Sequence, residues 1–359
     1  MTNAKDNSIR TKMDGSREPS VDILRAIALL GIILIHVNPS SPFVCQLRGF
    51  DVPMMVFLSG VVFAYGKRSL DSVSSICKYE WNRIVRILFP TWFFILMYFA
   101  FVYLRYHSIP DMYEVKSYFT LKTYWYVWIM RVFLIVAMTA PVIQWLKRKL
   151  SNIQLLIIAI LVLVLFEFFA IPNQDSWAYY ITMAIPYILI FGFGTMIDSI
   201  SHKNLWKIMA VCAVVYVAYA VWYWHLTGEY QGTQICKYPP RLYYTSYAMM
   251  CVVLLWQFRK QLTDILRWMH LDEFGIFIGS HTMWIYFWHI IGLIYLDIPL
   301  NWLAQANILN VVPAWCISFL IISLFSFALV WLQDKAVSAL LRLSHDSPVC
   351  KNILRIFQG

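Results

Sequence analysis

The chain is a succession of apolar runs, each about as long as a membrane-crossing helix and separated from the next by polar or proline-containing turns. The runs fall at 21–38, 50–66, 84–106, 123–146, 151–171, 177–197, 204–225, 241–258, 274–296 and 308–333. A bilayer core of ~30 Å takes about 20 helical residues, and with no water there to satisfy the backbone such runs cross as helices. The expected fold is therefore all-α, a polytopic transmembrane bundle of about ten helices. Composition agrees: 60% of the 359 residues are apolar, 17% aromatic and only 13% charged, well outside the range of soluble domains.

The basic residues give the orientation. Alternating the turns between two sides puts 21 Lys and Arg on one side and 6 on the other, with Arg25 and Arg131 inside runs. By the positive-inside rule the 21-residue side is cytoplasmic, so both termini are expected there. Residues 1–20 are expected to form a disordered cytoplasmic N-terminus, 21–335 a transmembrane domain and 336–359 a short cytoplasmic tail. The first apolar run has no small-residue cleavage site behind it and is expected to be retained as a helix. The net charge of +10 is spread in short clusters between apolar runs, a pattern of orientation signals and lipid contacts that argues against nucleic-acid binding. Seven cysteines show no CxxC spacing for a metal or redox site. Only Cys45 and Cys236 fall outside the membrane on the non-cytoplasmic side, the one pair in a compartment that permits a disulfide.

Ionisable residues inside such runs are costly and mark pathways or sites. In the first run Arg25 and His36 are eleven residues apart, three helical turns plus about 20°, so they share one face with a rise of roughly 16 Å between them. His36 lies toward the outer leaflet. His289 in the ninth run and Glu167 in the fifth fall at a similar depth, and the three suggest a polar chamber there. Arg131 faces either that chamber or Glu167. A neutral histidine at that depth suits a general base acting on a hydroxyl. Each has a plainer reading: His289 as a tie between two helices, Glu167 as a headgroup contact. At the cytoplasmic end Arg25 joins Arg83 and Arg86, whose guanidinium forks suit the phosphates of a nucleotide-like donor. Lys67 and Arg68 read more simply as orientation signals. Ser59-Gly60 lacks the strand–turn–helix setting of a hydrolase serine and reads as a close-packing position.

These residues resemble a known family. Asp22-x-x-Arg25-x10-His36 followed by Val52-Pro53-Met54-Met55-Val56-Phe57-Leu58-Ser59-Gly60 is similar to the start of the acyltransferase-3 family of bacterial integral membrane O-acyltransferases. Arg83-Ile84-Val85-Arg86, Tyr124-Trp125-Tyr126-Val127 and Gly279-Ser280-His281 through Tyr286 to His289 resemble its later segments in the same order, over about residues 18–335. The resemblance implies transfer of an acyl group, commonly acetyl, from cytoplasmic acyl-CoA across a bacterial inner membrane to a hydroxyl of a surface glycan or glycolipid. It implies essential roles for Arg25 and His36, and acyl-CoA as co-substrate with no tightly bound cofactor. Whether His36 acts as a base or is transiently acylated is open at this level. The competing class is a polysaccharide or lipid transporter or flippase whose polar path runs past Arg25, His36 and Glu167; a scaffold or sensor would leave the buried charges of helix 1 unexplained.

Overall fold

In the computed structural model the described residues are 18–123, 125–169, 176–305, 314–343, 351, 354 and 356–358. They form helices α1 (Pro19–His36), α2 (Pro42–Leu47), α3 (Asp51–Tyr65), α4 (Val73–Tyr106), α5 (Met112–Phe119), α6 (Trp128–Lys149) and α7 (Asn152–Phe168). These are followed by α8 (Trp177–Met196), α9 (His202–Thr227), α10 (Leu242–Gln257), α11 (Arg259–Trp268), α12 (Asp272–Ser280), α13 (Thr282–Gln305) and α14 (Ala314–Leu343). No strand occurs among the described residues.

Seven helical stretches are long and apolar enough to cross a membrane, and the bent pair α12–α13 adds an eighth. Two further expected spans coincide with shorter helices, α7 of 17 residues and α10 of 16. Helix starts follow side-chain capping: Ser72 and Ser151 form reciprocal capping boxes, and Asp111, Ser176 and Ser201 accept from the third residue beyond them.

α1 and α3 are the hub. α1 contacts α3, α11, α12, α13 and α14, while α3 contacts α1, α6, α8 and α10. Glycine permits the closest crossing. A β-carbon on Gly60 would run into the Phe191 carbonyl, and one on Gly194 into that of Phe57, so Ser59-Gly60 is the close-packing position its sequence suggests. α9 packs mainly on α10 and is otherwise on the outside of the bundle.

Two elements depart from expectation. α4 starts at Val73, not 84, because the Ser72 box nucleates it and no breaker follows until Pro90; the extra turns carry Tyr79 and Arg83. The span expected at 274–296 is broken by 83° between Ser280 and Thr282. There Gly279 lies against the Asp22 backbone, and both Ser280 Oγ and the His281 amide turn back to the Phe277 carbonyl. The first residues of the expected last span, 308–313, lie outside the described residues.

Candidate active site

The helical repeat of α1 places Arg25, Leu29, Ile32 and His36 on one stripe, at spacings of four, three and four. The first three line a cavity of about 300 Å³ whose other walls come from α3, α4, α6 and the broken span. Arg83, Arg86 and Tyr79 of α4 line it too, so the structure brings the three sequence-selected arginines together. The Arg25 guanidinium lies 3.3 Å from the buried Asp22 carboxylate, one turn back on the same helix. Arg83 sits over the face of Tyr79, 5.2 Å from the ring centroid, and Arg68 approaches the same ring at 5.6 Å. Among the described residues no carboxylate is within ion-pairing distance of Arg83 or Arg86. Burial, followed by the repulsion of Arg83, lowers the pKa of Arg68. Ser59 lines the cavity but donates its hydroxyl to the Met55 carbonyl at 2.9 Å, within its own helix.

The far end of the stripe holds a histidine pair. His289 Nε2 lies 3.0 Å from His36 Nδ1, so one ring donates to the other and His36 Nε2 is left as the nitrogen outside the pair. His289 is fully buried. It is bonded to His36, so the chamber group and the helix-to-helix tie that the sequence suggested are the same contact, between α13 and α1. Two tyrosines frame the pair: Tyr126 at 5.6 Å and Tyr286 at 6.5 Å from the His36 ring, with Tyr286 also 5.0 Å from His289. Tyr286 is in addition a wall of the cavity and donates its hydroxyl to the Tyr126 carbonyl. It therefore stands between the arginine-lined cavity and the histidines.

Beside His36 is a charged group that periodicity alone did not single out. Arg48, just after α2, pairs at 2.6 Å with Asp51 at the start of α3, both almost wholly buried, and Asp51 also accepts from the Val52 amide. Lys237, the residue just after the 3-10 turn Thr233–Cys236, is 6% exposed and lies 5.5 Å from the Trp128 ring centroid. Burial pushes its pKa down to about 8, with Asp51 opposing and Arg48 reinforcing the shift. Gln46 anchors this turn by accepting from the Thr233 amide at 2.8 Å. The only sequence signal was that Arg48 and Lys237 are rare cations on the sparsely basic side.

The other two candidates lie elsewhere. Glu167 accepts from the Leu242 amide at 3.0 Å, and its carbonyl accepts from Arg241, so it caps the start of α10. Arg131 is 4% exposed, donates to the Leu121 carbonyl and stacks at 3.9 Å on Tyr180. No ion pair joins it to Glu167 among the described residues. Equal depth on two helices does not bring side chains together when the helices face different neighbours. Cys45 and Cys236 are free thiols: Cys45 meets the Pro39 carbonyl at 3.5 Å and Cys236 the Tyr223 hydroxyl at 3.3 Å.

Neither the curated proteins nor the solved structures give a match to this chain. The family model described as an acyltransferase domain, that of the acyltransferase-3 family, matches residues 18–331, from the first turn of α1 to the middle of α14. With the helical bundle and the family match together, the chain belongs to the acyltransferase-3 family and is a multi-pass membrane acyltransferase.

Proposed function

We propose that the protein moves an acyl group, most simply acetyl, from acyl-CoA on the cytoplasmic side to a hydroxyl of a glycan on the other side of a bacterial inner membrane, with ten spans and both termini cytoplasmic. The observation that carries this is the α1 stripe, which runs from an arginine-lined cavity at Arg25 to a hydrogen-bonded histidine pair at His36.

The cavity, about 300 Å³, suits an acyl-pantetheine arm but not a whole nucleotide. The phosphates of the donor accordingly stay at the mouth on Arg83 and Arg86, with Arg25 beside the arm. The thioester passes Tyr286 to reach the histidines. His36 Nε2 accepts the proton of the acceptor hydroxyl as its oxygen attacks the thioester carbon. His289 holds the ring and shares the positive charge that develops on it, the part an orienting group plays behind any general base. When the tetrahedral intermediate collapses the C–S bond breaks, and the proton leaves with CoA as its thiol. The net positive charge of Arg48, Lys237 and Asp51 beside His36 favours the oxyanion.

The broken α12–α13 span is a feature shared with transporters, but the family match favours chemistry over passage. Measuring free CoA released from labelled acetyl-CoA, with and without added surface polysaccharide, separates the two. Polysaccharide-dependent release supports the transferase; transport of the polysaccharide without CoA release would overturn it.

A further inference from the structure

At the His36 end of the bundle, α5 and the chain leading into α6 enclose a groove of about 870 Å³ that the catalytic reading does not use. Tyr118 and Tyr180 are buried in its floor, at 3% and 4% exposure, while Tyr113 and Trp125 stand open on its walls at 79% and 66%. Glu114 and Lys116 add a carboxylate and an ammonium to the rim.

The groove is held beside the histidine pair by its own backbone. Trp125 faces it, and the next residue, Tyr126, lies 5.6 Å from the His36 ring. Leu121 and Tyr126 have positive φ, 57° and 41°, a region side chains adopt only when their surroundings impose it. Here the surroundings do. Trp92 donates to the Phe119 carbonyl at 3.1 Å, Tyr180 to that of Lys122 at 3.3 Å, Arg131 to that of Leu121 and Tyr286 to that of Tyr126. Buried Arg131 thus acts as a positioning residue for this loop.

Open aromatic faces beside hydroxyls, a carboxylate and a lysine match the two sides of a sugar ring, whose C–H faces are apolar and whose hydroxyls need polar partners. Interfacial aromatic belts sit at the headgroup level, whereas Tyr113 and Trp125 line a groove together with Glu114, Lys116 and two buried tyrosines. We propose that this groove is the acceptor subsite, taking a pyranose ring of the glycan chain so that a nearby hydroxyl reaches His36. This rests on the proposed transfer to a glycan.

The test uses the full-length protein in proteoliposomes with labelled acetyl-CoA and, as probe, polysaccharide extracted from the surface of the expressing cells. Trp125→Ala and Tyr113→Ala are each expected to raise the KM for polysaccharide roughly tenfold, the scale of a lost aromatic contact, with the KM for acetyl-CoA within about twofold. Trp125→Phe restores most of the loss. Trp145→Ala, exposed at the opposite end of α6, serves as the control and changes neither. If wild type is active and the polysaccharide KM is unchanged in both Trp125→Ala and Tyr113→Ala, the groove is not the acceptor site. Competition by anionic phospholipid vesicles without a polysaccharide effect would make it a lipid site and overturn the proposal. No polysaccharide-dependent release from wild type would instead remove the glycan reading on which the groove depends.

Discussion

His36 has one nitrogen in a hydrogen bond and one outside it, and that asymmetry sets what substitutions should do. His36→Ala removes the proposed base and should lower acyl transfer by at least about a hundredfold at normal protein abundance. His289→Ala leaves the base but frees its ring: kcat should fall about tenfold or more with the KM for acyl-CoA little changed, and His289→Gln, which keeps a hydrogen-bonding amide, should recover part of it. Lys237 offers a pH test. Its pKa is about 8 in the fold against 10.5 in the unfolded chain, so between those values the unfolded chain holds more protons and stability rises with pH. Below pH 8 both states are protonated and the full cost of the buried charge, on the order of 3 kcal/mol, is present. Lys237→Met should therefore raise the thermal midpoint at pH 7 and flatten the rise between pH 8 and 10 in thermal unfolding. At this scale Arg25 and His36 were legible in sequence because an eleven-residue spacing on a helix is local geometry. The Arg48–Asp51–Lys237 group was not, because it forms only when a turn 186 residues beyond Asp51 folds back against the start of α3.

Among the elements, α1 joins the two ends of the site and α3 fixes where it stands. The α3–α8 crossing brings backbones into contact at Gly60 and Gly194, so Gly60→Val should force the helices apart and lower both yield and thermal midpoint. Gly66→Ala, at the C-terminal cap of the same helix and with nothing closer than 3.4 Å to an added β-carbon, should be tolerated. α4 carries the two arginines proposed to bind the donor at the start of its expected span, Arg83 just before it and Arg86 just inside. Replacing Arg83 and Arg86 together by Ala should raise the KM for acyl-CoA about tenfold or more, with a smaller effect on the glycan. Apolar periodicity marked all of these helices, yet it does not give their rotation about their own axes. Hence Glu167, right in depth, caps α10 and does not join the histidines. The 83° break in the α12–α13 span was hidden for a related reason: Gly279-Ser280-His281 is apolar enough in context to read as continuous helix.

For the whole molecule, the arginine-lined cavity and the histidine pair meet at Tyr286; in the proposed mechanism donor and acceptor approach from opposite ends and the acyl group passes that tyrosine. Tyr286→Phe keeps the ring but loses the bond to the Tyr126 carbonyl, and should alter kcat more than either KM. The most direct measurement seals labelled acetyl-CoA inside vesicles on the side of the Arg83–Arg86 mouth and supplies surface polysaccharide outside. Transfer through the α1 stripe predicts label on the external polysaccharide with wild type and none above background with His36→Ala at equal protein. Equal labelling by the two, or labelling only when donor and polysaccharide share a compartment, would contradict it.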